Sequence, residues 1–495
     1  MTRTINSRTL LLFLASTLWP SSPARAQNET PPSESPTRQA VEVTAVPPAE
    51  TTAPPAAPAL PAPSARPPEP RAPASAVGVA DKPSVTSRFA AELYGFVEFD
   101  AIHDSTQSFN DLAGNAGIAR GNYAAGHQRT IFGARNSRIG FKLKGPEGDW
   151  LRTSAILEMD FLGNQPSPVS EAAFVSSPTF RIRHMAMKVE TPLVDIWFGQ
   201  YWQLFGWQSM YHPNTVEIQG VPGQIYSRAP QIRLQRMIAT DDVNFELAAA
   251  ALRPPQRDSS WPDGQAGLRL ILNNWKGLHT AGATGTAVDG LSVGVSGVYR
   301  HFAVAEFTAS PAAAKTRNGS GISVDALLPV VPATLQSRGN ALTLNGSFVR
   351  GTGIADLYTG LSGGLTFPAL PNPSGSSPAP TYTANVDNGL VAFDGDGNLH
   401  TINWLSYLAG IQYYLPPSGS VWLSANFSGM KSTNIDSFGS AGKLFNKSYW
   451  ADGNLFVDLN RAARLGAELA WFRQDYVDGT KAHNWRGQLS AFYVF

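Results

Sequence analysis

From about residue 90 to its last residue the chain repeats one pattern, short stretches in which apolar and polar side chains alternate. Successive residues of an extended strand point to opposite faces, so a period of two marks two-faced strands rather than helices. In LYGFVEFDA, Leu93, Val97 and Phe99 oppose Glu98 and Asp100. In SRIGFKLKG, Ile139, Phe141 and Leu143 oppose Arg138, Lys142 and Lys144, and in LRTSAILEMDF, Leu157, Met159 and Phe161 oppose Arg152, Glu158 and Asp160. LSVGVSG, ALTLNGSF, VWLSANFSG, LFVDLN and LGAELAWF continue the series. It ends with HNWRGQLSAFYVF, where Trp485, Leu489, Tyr493 and Phe495 share one face and Arg486, Gln488 and Ser490 lie on the other. A soluble domain needs a core over such an apolar chain end. A membrane barrel instead turns that face to lipid and sets aromatics at the interface.

The connections alternate too. Tight turns such as 145–149, 415–420 and 460–464 are followed by longer links at 104–130, 162–178, 351–400 and 431–446. Short turns at one end and long loops at the other are expected of outer-membrane barrels. A soluble sandwich also alternates, but neither this asymmetry nor the aromatic terminus suits it. The fold class expected is therefore all-β: a transmembrane antiparallel β-barrel of about sixteen strands over 89–495. The stretch 274–290 reads equally as a turn or as another strand.

The start of the chain says where such a barrel would work. Residues 1–26 have a basic beginning, an apolar run from Leu10 to Trp19 and the small-residue pattern Ala24-Arg25-Ala26, as in a cleaved secretory signal. The apolar run is too short for a spanning anchor. Residues 27–88 are rich in proline and alanine, a composition that cannot bury a core, and read as a disordered periplasmic linker. Contact of this linker with the cell wall is one role for it; an unselective spacer is the plainer one. The chain has no cysteine, so no disulfide holds it, and a closed hydrogen-bonded barrel supplies an alternative. Without the signal, 35 basic residues face 37 acidic ones, which argues against nucleic acid as a partner.

If one face meets lipid, the other lines an aqueous lumen. Arg or Lys facing lipid at the midplane costs about 2–4 kcal/mol, so Arg138, Arg152, Arg181, Arg183 and Arg233 are expected inside, with Glu98, Asp100, Glu158, Asp160 and Glu468. Most of these would simply be hydrated wall. The narrowing is expected in the connection 201–230, which is long, aromatic and punctuated by glycine and proline. Irregular backbone at membrane depth is tolerated inside protein or beside a water-filled cavity. The loop is thus expected to fold inward, packing Trp202, Phe205, Trp207 and Tyr211 on the wall; the alternative is an exterior loop at a subunit contact. Arg181 and Arg183 before it, with Arg228 and Arg233 after it, would favour carboxylates or phosphates. Opposed carboxylates on the first and third strands would add a transverse field. The sequence contains no nucleophile-elbow, zinc-protease or phosphate-loop motif, and its eight histidines show no metal-ligand spacing, so neither enzyme, metal nor cofactor is expected.

Several segments, in this order, resemble the DcaP-like trimeric outer-membrane porins: LYGFVEFDAIHD, NSRIGFKLKGP, FRIRHMAMKVETPLVDIWFGQYWQLF, RAPQIRLQ, GNALTLNGSFVRGTGIADLYTG, GIQYYLPP, and LGAELAWFRQDY with the ending AFYVF. The resemblance implies a sixteen-stranded homotrimer in outer-membrane lipid and lipopolysaccharide, passing small anionic or neutral solutes. It places constriction arginines at Arg181, Arg183, Arg228 and Arg233, and implies that Tyr493 and Phe495 form the signal read by the barrel assembly machinery. The proline-rich start, without heptads, departs from the coiled-coil segment that such porins can carry. Together these observations favour a passive porin with a preference for small anions. A substrate-selective nutrient channel, an envelope-anchoring barrel and a barrel enzyme are the other readings.

Overall fold

The computed structural model describes residues 89–495 apart from 114–116, 147, 149, 164–177, 218–219, 255–258, 307–310, 360–388, 395 and 439–444. The expected signal, the linker and the proline cluster at 368–380 lie outside the described residues.

The first strands are β1 (Ala90–Asp104), β2 (Arg129–Gly133), β3 (Arg138–Lys144), β4 (Arg152–Gly163), β5 (Thr179–Glu190), β6 (Asp195–Trp202), β7 (Arg228–Ala239) and β8 (Val243–Leu252). Next come β9 (Asp263–Ala281), β10 (Gly285–Ala305), β11 (Ala314–Val331), β12 (Leu342–Thr352), β13 (Val391–Phe393) and β14 (Leu399–Thr401). The last are β15 (Asn403–Tyr414), β16 (Val421–Ser432), β17 (Phe445–Asp458), β18 (Ala463–Tyr476) and β19 (Lys481–Val494). β13 and β14 form a separate small hairpin. β2 and β3 both pair with β1, at Asp104↔Arg129 and Phe96↔Arg138 for example, so they are two halves of one wall strand. The wall is a closed antiparallel barrel of sixteen strands.

Closure is made by β19 against β1, from Phe96↔Val494 to Asp104↔Arg486. Beyond it, the Phe495 amide donates to the Gly95 carbonyl at 3.0 Å and the Gly95 amide to the Phe495 carbonyl at 2.9 Å. The terminal residue is thus the last rung of the seam. Gly95 has φ +155°, and a Cβ there would lie 2.2 Å from the Arg138 carbonyl oxygen.

Alternation sorts the two faces as the sequence reading expects. Leu93, Val97, Phe99, Trp485, Leu489, Tyr493 and Phe495 are exposed on the outside. Glu98, Asp100, Asp104, Arg486, Gln488 and Ser490 are buried within. In β5 the register against β4 passes from Met159↔Ile182 to Glu158↔His184, skipping Arg183. This bulge leaves both Arg183 and His184 buried inside, which strict alternation would forbid. The ambiguous stretch 274–290 is the tip of the long β9–β10 hairpin and adds no further wall strand.

Deleting Phe495 should lower the yield of heat-modifiable barrel, read by gel shift of membrane extracts. Gly95→Ala should destabilise the folded barrel by about 3 kcal/mol through backbone overpacking, read by urea unfolding in micelles.

Candidate functional site

Residues 203–227 connect β6 to β7, slightly fewer than the 201–230 expected, because Trp202 and Arg228 still belong to the wall. The loop crosses to the far side of the barrel. The Phe205 amide donates to Gln265 Oε1 on β9 (2.8 Å) and the Gly206 amide to Ser296 Oγ on β10 (2.7 Å). Asn345 on β12 donates to the Tyr211 carbonyl at 3.1 Å. Asn426 on β16 donates to the Asn214 carbonyl (2.8 Å), and Ser428 to that of Pro222 (2.5 Å). The Val216 and Glu217 amides both donate to Glu468 Oε2 on β18, at 2.8 and 2.9 Å. Lumen-facing polar side chains therefore satisfy backbone groups that have no ladder partner, as low-dielectric burial requires. Gly206 and Gly223, at φ +77° and +88°, make turns that other residues rarely adopt. Trp202, Phe205, Trp207 and Tyr211 are all buried, and the Trp207 indole donates to the Val295 carbonyl.

At the near end of this loop the arginines gather. Arg181 binds Asp160 through Nε (3.0 Å) and a terminal nitrogen (2.6 Å). Arg183 donates to Glu158 Oε1 (2.8 Å), Asp160 Oδ2 (3.0 Å) and the Tyr226 hydroxyl (3.1 Å). The Tyr94 hydroxyl donates to the other Glu158 oxygen at 3.0 Å, and Arg138 Nε lies 3.6 Å from Glu158. Arg228 stands 4.8 Å over the Trp202 ring and 5.4 Å over that of Tyr226. Among the described residues it has no carboxylate within ion-pair distance, and one terminal nitrogen has no hydrogen-bond partner. Four guanidinium groups thus meet two carboxylates, Glu158 and Asp160.

The other sequence-selected residues fall elsewhere. Glu158 and Asp160 do not face the arginines across the lumen, as the transverse-field reading expects; they pair with them on adjacent strands. Asp100 accepts from Asn136, Gln488 and Ser490, and buried Glu98 has neither carboxylate oxygen hydrogen-bonded. Arg152 sits at the short-turn rim, 3.6 Å from Glu190. Arg233 is tied to the Gln231 side chain and the Trp202 carbonyl, holding the start of the loop. Tyr94 and Tyr226 escaped the sequence reading because tyrosine parity carries no charge signal. Alternation marks Arg486 simply as a polar-face residue of the last strand. It holds Asp104 bidentately at 2.9 and 2.8 Å and Glu217 at 3.1 Å, so it anchors the crossing loop.

Other connections also turn inward. Arg300 on β10 clasps Asp263 and Asp356, fixing the segment after β12 inside the barrel. Leu357, Tyr358, Leu390 and Phe393 join Phe205, Val221 and Ile225 in one apolar cluster. Inner side chains keep solvent contact mainly along β3–β6: Arg138 retains 19%, Arg181 27% and Lys188 20%, against 1% for Arg300 and Arg486. Solvent contact on the inner face is therefore concentrated on the arginine-bearing wall. Replacing Arg183 with methionine should cost about 3–5 kcal/mol by leaving buried carboxylate charge under-compensated, measured by urea unfolding in micelles.

No family model and no curated protein matches the chain. Among solved structures, the outer membrane channel DcaP of Acinetobacter baumannii aligns with a TM-score of 0.59 at 17% identity, covering 84% of this chain and all of that one. An anion-selective porin from Comamonas acidovorans (12% identity, 82% of this chain and 100% of that one) and the trimer form of OmpT from Vibrio cholerae (10%, 82% and 99%) each score 0.46. The fold of this chain is that of the DcaP channel, and the likeness to DcaP-like porins expected from its sequence holds at the level of the fold.

Proposed function

We propose that this chain is an outer-membrane porin through which small hydrophilic solutes diffuse, with a preference for small anions such as carboxylates. The observation that carries the reading is the surplus of guanidinium over carboxylate beside the solvent-accessible path, with Arg228 facing no carboxylate among the described residues. A guanidinium with a free fork receives a carboxylate bidentately. Its stacking on Trp202 and Tyr226 keeps the fork oriented without neutralising it. The fold shared with an outer membrane channel supports the location and the transport role. The reading includes a cleaved signal at 1–26, a periplasmic linker at 27–88 and a homotrimer assembled in the outer membrane.

A second reading, a substrate-selective channel, is favoured by the crowding of the lumen. The crossing loop, the segment 353–359 and the β13–β14 hairpin bury nearly the whole inner face from β10 to β19. A wide unselective pore has no use for so much packed protein inside it.

Single-channel recording in a planar bilayer under a salt gradient tests both. The protein should give stepwise currents with an anion-directed reversal potential, and Arg228→Gln should bring that potential about halfway to zero. Because Arg228 has no carboxylate partner among the described residues, the same variant should keep the unfolding midpoint of the parent. Cation preference in the parent would overturn the anion reading. Saturable block by a dicarboxylate would select the second reading over free diffusion.

A further inference from the structure

The β9–β10 hairpin does not end where the wall ends. β8 follows β9 only as far as Val243↔Leu272, and β11 joins β10 only from Ser292↔Leu327. Between these points, Lys276 to Gly290 form a ladder with each other, and beside it the Ala333 amide donates to the Lys276 carbonyl at 3.2 Å. A register break at Gly290/Leu291 lets the hairpin bend. Two glycines allow the close approach this requires: a Cβ at Gly290 would lie 2.6 Å from the Leu272 carbonyl oxygen, and one at Gly277 would lie 2.5 Å from Pro329 Cβ.

The bent hairpin points into the barrel. Gln412 on β15 clasps Thr280 from both sides, accepting from its amide at 2.9 Å and donating to its carbonyl at 3.0 Å. The Thr280 hydroxyl meets the Tyr414 hydroxyl at 2.5 Å, Thr343 donates to the Leu278 carbonyl, and Arg464 on β18 donates to that of Ala283. Leu278 and Ala283 are buried with Val216, Tyr414, Trp422 and Phe456. The tip also bonds the crossing loop. The Gly282 amide donates to the Pro213 carbonyl (2.9 Å), Asn214 donates to the Gly282 carbonyl (2.7 Å), and His279 lies 3.0 Å from the His212 carbonyl. Backbone groups of both segments satisfy one another where no strand could do so.

We propose that this hairpin is an internal strut. It closes the short-turn end of the barrel beneath β12–β18 and holds residues 212–216 of the crossing loop. The position of that loop over the arginine-bearing path depends on it. The inference deepens the channel reading, on which it rests, by naming what fixes the constriction. Removing the strut should leave the sixteen-stranded wall intact, since no wall ladder passes through 276–290, yet release the loop along its length.

The chain has no cysteine, so one introduced thiol reports on the loop alone. Val221 is suitable because it is fully buried and packs with Phe205, Ile225 and Leu357, in a cluster separate from that of the hairpin. In Val221→Cys, maleimide labelling of the folded barrel should be slow. With 273–290 replaced by Asn-Gly between Leu272 and Leu291, it should speed up about tenfold or more, as local opening of the loop exposes the thiol. The anion-directed reversal potential should fall at the same time. A folded, shortened barrel whose introduced thiol is as protected as before would overturn the strut, whatever the channel conducts. If the shortened chain yields no heat-modifiable barrel, Gln412→Ala with Tyr414→Phe in the full chain releases Thr280 instead. The same rise in labelling is expected there, and unchanged protection would again overturn the proposal. Loss of anion preference in the parent protein would instead count against the proposed function and leave the labelling result standing.

Discussion

Every backbone amide and carbonyl of this wall must find a partner within the wall, because hydrocarbon offers none. That requirement explains why β19 returns to β1 and why the seam runs to the last residue. It also explains the absence of a need for disulfides: a closed ladder has no edge at which to fray. Side-chain chemistry then follows from the ladder, since pairing fixes which residues face lipid and which face inward.

Inside, the same demand for partners is met differently. Loop backbone crossing the lumen has no strand to pair with, so wall side chains such as Gln265, Ser296, Asn426 and Glu468 take that role. Many inward polar residues therefore hold loops rather than line water. The arginine cluster is organised by a second rule, that buried charge needs compensation. Glu158 and Asp160 hold Arg181 and Arg183, while Arg228 rests on aromatic rings with no carboxylate in ion-pair range among the described residues. Fixed pairs hold two of the guanidinium groups in place, and stacking alone orients the third.

Much of this was legible. Alternation placed Leu93, Val97 and Phe99 outside and Glu98 and Asp100 inside, and the composition of 201–230 singled out the crossing loop. Other features were hidden for definite reasons. The β5 bulge puts Arg183 and His184 on the same side, and nothing in RIRHM announces the extra residue. Parity puts Glu158 and Asp160 inside but does not say which neighbour they meet, so their pairing with Arg181 and Arg183 on the adjacent strand is hidden. Residues 274–290 could not be assigned because a hairpin bent into the lumen keeps the same alternation as one that continues the wall.

The sequence by itself determined the two-faced strands, their approximate number, the alternation of short and long connections, and the inward side for Glu98, Asp100, Glu158 and Asp160. These are local properties, set by a period of two and by turn chemistry within a few residues. Only the tertiary structure decided which charges cancel, that Arg228 stands over the rings of Trp202 and Tyr226, and that a hairpin and a loop meet inside the barrel. Those outcomes depend on contacts between residues such as Asn214 and Asn426, or Thr280 and Gln412, which the closed barrel brings together across its lumen. No local pattern encodes such a meeting, because it exists only after the ladder has closed.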